Sequence, residues 1–113
     1  ARPDERLPAR MPIPTVPLAP DLVVSRLITG LWQVADLERD GTTLDPDVGA
    51  AAMGAHLDAG CTTFDMADHY GSAEVVAGRF RATVAAGRDD VRLLTKWVPS
   101  PGPVTRADVR AAV

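Results

Sequence analysis

A carboxylate, a phenol and an ammonium group stand at the ends of strand-like segments in this 113-residue chain. Asp65 closes Cys61-Thr62-Thr63-Phe64-Asp65, Tyr70 follows five residues later, and Lys96 closes Leu94-Thr95-Lys96. Together the three types form a proton-delivery device. A free phenol ionises near pH ~10, a nearby cation lowers that value, and the phenol then becomes a usable proton donor around neutrality. Lys96 is the chain's one lysine beside eleven arginines. An ammonium is a compact charge that responds to its surroundings, whereas a guanidinium stays protonated; a lysine-poor composition would produce the same count without any function. Asp68 and His69 lie in the same loop as Tyr70. With Asp65 they make half of a metal site, but a catalytic zinc usually takes three protein ligands and only one imidazole is nearby, so no metal is expected. His69 is read as a loop residue near the pocket, and Cys61 as a packing residue without a partner for nucleophilic catalysis.

Strand alternation decides which of these groups can meet. Thr63 and Asp65 share one face and Phe64 takes the other, while Leu94 and Lys96 oppose Leu93 and Thr95. If Phe64 packs beneath a helix, Asp65 faces inward. A lone buried charge is costly, so Asp65 and Lys96 are expected to pair, provided their strands are neighbours.

The elements that would position them read as follows. Leu22 to Trp32 is aliphatic and β-branched, closes on Gly30, and divides at Ser25-Arg26 into a short leading strand and a second strand over 27–30. Thr42 to Gly60 is loop and helix, with Asp45 as N-cap, Pro46 at the first helical position, apolar Val48, Ala52, Ala55 and Ala59 at helical spacing, and Gly60 as C-cap. Ser72 caps a second helix whose apolar positions are Ala73, Val76, Ala77, Phe80 and Val84, and Gly87 ends it. Val91 to Trp97 is a third strand, the proline-rich loop 99–103 breaks it, and Thr105 with Asp108 opens a last helix.

Strand, helix, strand, helix, strand, helix, at strand spacings of about 30 to 35 residues, is the signature of parallel βαβ units. Eight such units give roughly 250 residues, a (β/α)8 barrel with its active site at the C-terminal ends of the strands. The predicted fold is therefore α/β: the first three βα units of a (β/α)8 barrel, truncated, preceded by a proline-rich arm. Three parallel strands under one helix layer leave an edge and an apolar face bare, so the remaining units are expected from elsewhere. Residues 1–21 are read as the extended arm, since residues 1–20 hold six of the ten prolines, and residues 22–113 as the barrel portion.

Composition removes other classes. A net charge of −3 argues against a nucleic-acid binder. One cysteine fits a reducing compartment. No apolar run reaches the roughly 18 residues of a membrane span, and the first 20 residues lack a signal peptide's apolar stretch, so the expectation is a cytoplasmic protein with no membrane partner.

Gly60-Cys-Thr-Thr-Phe-Asp65-Met-Ala-Asp-His-Tyr70-Gly71, then Glu74-x-x-Ala77-Gly78, then Thr95-Lys96-Trp97, with Gly30-Leu31-Trp32 on the first barrel strand, resembles the aldo-keto reductase family over about residues 22–113. The resemblance implies reduction of a small aldehyde or ketone to an alcohol, or the reverse, with NADP(H) in preference to NAD(H). It implies Tyr70 as the general acid, Lys96 as the group acting on it, and Asp65 as the partner of Lys96. It makes Gly30, Leu31, Trp32 and Asp65 contacts at the nicotinamide end, and Trp32, His69 and Trp97 residues of the substrate pocket. The family's fourth catalytic residue, a histidine after strand four, has no counterpart in His56 or His69, and its phosphate-binding residues also belong to later strands. Met66 and Leu31 stand where smaller or hydroxylated residues are usual, and the loop to Glu74 is one residue longer. Catalysis is expected when the remaining barrel is supplied, by a further segment or within a homo-oligomer. Alternatives are a non-catalytic, redox-sensing module like the β-subunits of potassium channels, which share this fold, and an inactive fragment.

Overall fold

The computed structural model describes residues 12–113; the part of the expected arm over residues 1–11 lies outside them. Five strands and four helices follow in order: β1 (Thr15–Ala19), β2 (Leu22–Ser25), β3 (Ile28–Gly30), α1 (Trp32–Leu37), α2 (Pro46–Asp58), β4 (Thr63–Asp65), α3 (Ala73–Ala82), β5 (Arg92–Leu94) and α4 (Arg106–Ala112).

β3, β4 and β5 form a parallel sheet in that order, with Gly30 opposite Asp65 and Asp65 opposite Leu94. The ladder outlasts the regular strands. Leu31 N–H donates to the Asp65 carbonyl (2.9 Å), Met66 N–H to Leu94 (2.8 Å) and Asp68 N–H to Lys96 (3.0 Å). Lys96, beyond the end of β5, is thereby held at the level of the residues that follow Asp65.

The arm is not extended and unpaired throughout. Thr15–Ala19 pairs antiparallel with Leu22–Ser25, with an irregularity between Pro17 and Ala19. Proline lacks the ladder donor and is tolerated on such an edge strand, which is why a proline-rich composition hid a hairpin. A boundary after residue 21 therefore falls inside one hairpin. Its last residue is clamped to the sheet: Ser25 N–H donates to Thr63 Oγ1 (2.9 Å), and Thr63 N–H donates to Ser25 Oγ (3.2 Å). Both residues are buried.

The core lies between the sheet and α1–α3. Phe64 and Phe80 are fully buried and meet edge to face at 5.1 Å, each worth about 1.5–3 kcal/mol of burial. α3 buries Ala73, Val76, Ala77 and Phe80 as its spacing predicts, but it ends at Ala82, so Val84 lies beyond it and is exposed.

The face of α2 differs from the sequence expectation. Gly49, Ala50, Met53, Gly54 and Leu57 are buried, whereas Val48, Ala52, Ala55 and Ala59 are not. Two glycines decide it: a Cβ at Gly49 would stand 2.5 Å from Val76 Cγ1, so α2 approaches α3 where side chains are absent. The larger apolar residues Met53 and Leu57 follow that face inward. Asp45 caps the helix as expected, accepting the Asp47 N–H at 2.8 Å, and Thr105 with Asp108 forms the capping box of α4.

α1 has no counterpart in the sequence reading. It is six residues long, with no side-chain cap and no charge at either end that favours a helix, and its stability comes from burying Val34 and the preceding Leu31 in the core.

Candidate active site

Alternation on β4 sorts three consecutive side chains. Thr63 turns to the hairpin, Phe64 to the helices, and Asp65 to the same side as Thr63 but one step nearer the strand ends. On β5 and beyond, Leu93 packs on the core and Thr95 Oγ1 donates to Glu74 Oε2 on α3 at 2.9 Å, leaving Lys96 on the side of Asp65.

The two charges meet. Lys96 Nζ lies 2.9 Å from Asp65 Oδ1, 3.0 Å from Oδ2 and 2.6 Å from the Met66 carbonyl oxygen. Three acceptors match the three N–H donors of an ammonium. The pair is not buried as expected: the side chains are 46% and 41% exposed, so its free-energy contribution is that of a surface pair, up to about 1 kcal/mol.

Tyr70 stands beside this couple. Its ring is half-buried against the core, and Lys96 Nζ lies 5.5 Å from the ring centroid. That separation is within cation–π range, worth about 0.5–1 kcal/mol at an exposed site. Among the described residues no hydrogen bond joins the phenol to the ammonium, whose donors are taken by Asp65 and Met66. The contact is therefore electrostatic.

Two further rings pack edge to face on Tyr70: Trp32 at 5.0 Å and His69 at 4.9 Å. Trp32 opens α1 and is 49% exposed, so part of its indole stays open to solvent beside the phenol. His69 Nδ1 is 3.2 Å from Asp68 Oδ1, and Asp68 Oδ2 accepts the Val98 N–H at 3.0 Å. That amide, more than the imidazole, holds the Asp68 carboxyl below its usual range. Asp68 and His69 form a pair tied to the backbone after Lys96, and among the described residues no three metal-ligating side chains converge.

Not every expected residue joins the cluster. The Leu31 side chain is 7% exposed and belongs to the core, so only its backbone, whose N–H continues the ladder, lies at the strand ends. Trp97 is apart from the three rings. It lines a cavity of about 450 Å³ between the proline loop and α4, and a second of about 540 Å³ beside Lys96, with Asp68, Glu74 and Thr95.

Gly30 is in register with Asp65, and nothing lies within 4 Å of the position a Cβ would take there. Asp65 and Trp32 are both partly exposed near these strand ends.

One carboxylate at this site escaped the sequence reading. Glu38, just past α1, accepts the Ser72 N–H on Oε1 (2.7 Å) and both the Ser72 hydroxyl (2.6 Å) and the Leu44 N–H (2.7 Å) on Oε2. The Ser72 hydroxyl chiefly, then the Leu44 amide, hold its carboxyl below the ordinary range. The serine expected to cap α3 thus makes no side-chain capping bond of its own. Only local signals are visible in sequence, and Ser72 is 34 residues away from Glu38.

Among known families, the model described as Aldo/keto reductase family matches residues 26–113. No curated protein matches the chain. The matched span contains the parallel sheet, all four helices and every residue of the cluster around Tyr70.

Proposed function

This chain belongs to the aldo/keto reductase family, and on that premise we propose that it is the catalytic N-terminal part of a nicotinamide-dependent carbonyl reductase, with Tyr70 as proton donor. The observation that supports this most is the Lys96 ammonium, fixed by Asp65 and Met66 and standing 5.5 Å from the Tyr70 ring.

Reduced nicotinamide nucleotide, NADPH in preference to NADH, supplies the hydride when bound. The chain's own residues supply the proton. Tyr70 O–H donates to the carbonyl oxygen of a small aldehyde or ketone as negative charge gathers there, so the product is the alcohol and the tyrosine is left as phenolate. The fixed ammonium stabilises that developing charge without having to reorient, which is how preorganised charges lower a barrier. Asp65 keeps the ammonium from moving away into solvent. Trp32 and His69, packed on two edges of the phenol, limit the angles at which a carbonyl can approach. In the reverse direction the phenolate takes the alcohol proton.

Gly30, Asp65 and Trp32 are the residues proposed to receive the nicotinamide ring. The sheet ends on β3 and β5, so later βα units, from the same polypeptide or from another copy, are proposed to complete the barrel and to hold the phosphates. The setting proposed is cytoplasmic, in keeping with a single cysteine; among the described residues no helix is long and apolar enough to cross a membrane.

The test is NADPH oxidation with a panel of aldehydes and ketones, by the chain alone and with the later barrel units supplied. Carbonyl-dependent turnover supports the reductase. Nucleotide binding without turnover, even in the completed barrel, identifies a sensing module instead.

A further inference from the structure

We propose that Glu38 is a positioning residue for Tyr70, a carboxylate that fixes the loop carrying the phenol. Its consequence for turnover rests on the reductase reading above; the contacts from which it is drawn do not.

Tyr70 is held from both ends of one short helix. Trp32, the first residue of α1, packs on the ring at 5.0 Å, and Glu38, just beyond its last residue, holds the backbone that follows the ring. Between Tyr70 and α3 stand only Gly71 and Ser72. Ser72 gives Glu38 both its N–H and its hydroxyl, and Leu44 gives a third donor from the loop before α2. Bonds to an ionised acceptor are about twice as strong as neutral ones, so three on one carboxylate make a firm anchor where the chain has no regular structure.

Gly71 is shaped by the same anchor. Its φ is +51°, and a Cβ there would fall on Glu38 Oε1. The carboxylate occupies the space a side chain would need, so the loop after Tyr70 is moulded on Glu38. A carboxylate serving only to cap α3 would not require Ser72, the residue at the cap position, to turn its hydroxyl away from the helix. A misplacement of about 1 Å at a reacting group can cost on the order of 100-fold in rate, which sets the size of effect expected when the Glu38 anchor is removed.

Tyr70 is the one tyrosine of the chain, which gives a direct test. The full chain is prepared with fluorotyrosine and its single fluorine resonance recorded for wild type, Glu38→Gln and Glu38→Ala, with far-ultraviolet circular dichroism to establish folding. The expected result is a folded Glu38→Ala whose resonance moves toward its position in the urea-unfolded chain. Glu38→Gln, which keeps one carbonyl acceptor, falls between. An unmoved resonance in folded Glu38→Ala overturns the proposal. Should that variant not fold, Ser72→Ala removes a single donor to Oε2; a smaller shift in the same direction is expected, and none overturns the proposal. In the barrel-completed protein, Glu38→Ala is expected to lower kcat by roughly 100-fold while KM changes by less than about twofold; a change confined to KM, or none, contradicts positioning. If Tyr70→Phe left turnover intact, the reductase reading would fail while the fluorine result stood, so the two failures are distinguishable.

Discussion

Lys96 and Asp65, 31 residues apart in sequence, meet across two adjacent parallel strands with Nζ 2.9 and 3.0 Å from the two carboxylate oxygens. Register alone brings them together: Asp65 pairs with Leu94, and the ladder continues to Lys96 through the Asp68 N–H. The pair is nearly half exposed, so its importance lies in where it fixes a charge rather than in folding free energy.

Lys96→Met is accordingly expected to separate the two properties. Urea unfolding should change by less than about 1 kcal/mol. Turnover in the completed barrel should fall by at least about 100-fold, the usual cost of removing a preorganised charge. A large loss of stability would mean that the pair holds the fold, not the phenol.

Ser25→Ala tests how the hairpin is attached. The substitution leaves the buried Thr63 N–H without its acceptor, which costs about 1–3 kcal/mol. Thr63→Val leaves the Ser25 N–H in the same condition and should cost a similar amount. Because each side chain accepts from the other residue's backbone N–H, the double variant leaves both amides unpaired and should cost about the sum of the two single losses, as read from urea midpoints.

Phe80→Ala is expected to destabilise by about 3–5 kcal/mol, since the ring is fully buried against Phe64 and leaves a cavity when removed. Val84→Ala, on an exposed residue beyond the end of α3, should stay within about 0.5 kcal/mol of wild type. Thermal or urea unfolding of the pair of variants discriminates the observed boundary of α3 from a helix continued to Gly87.

Most of the side-chain cluster around Tyr70 was legible in the sequence, for a definable reason. Asp65, Tyr70 and Lys96 follow short segments whose β-branched and aliphatic residues mark strands, and side-chain alternation then tells which groups face each other. Helix ends at Asp45 and Thr105 carry local capping chemistry, which needs no knowledge of the fold. The features that escaped depend on distant partners. Which face of α2 is buried is decided by the close approach of Gly49 to Val76 on another helix; α1 is too short and too poorly capped to show a period; Glu38 binds donors 6 and 34 residues away.

Acid should loosen the loops on either side of Tyr70. Glu38 is held below its ordinary value of 4.5, chiefly by the Ser72 hydroxyl, and Asp68 below 3.8, chiefly by the Val98 amide. For a lowered folded-state value the unfolded chain binds more protons between the two values, so stability rises with pH there. The contribution is complete at neutral pH, begins to decline as pH falls through the ordinary values, and is gone below the folded ones. Urea midpoints should therefore drop from pH 6 toward about pH 3, and Glu38→Gln should show a shallower drop than wild type. Equal slopes in both proteins would remove Glu38 from the account.

The most direct measurement is the single-turnover rate of NADPH oxidation with an aldehyde, comparing wild type and Tyr70→Phe in the completed barrel, with nucleotide affinity measured alongside. The expected result is a rate lower by about 100- to 10,000-fold, the range for loss of a general acid, with affinity for NADPH within roughly twofold. A Tyr70→Phe protein that reduces the aldehyde at the wild-type rate would show that the proton comes from elsewhere and that the Lys96–Asp65 couple serves some other end.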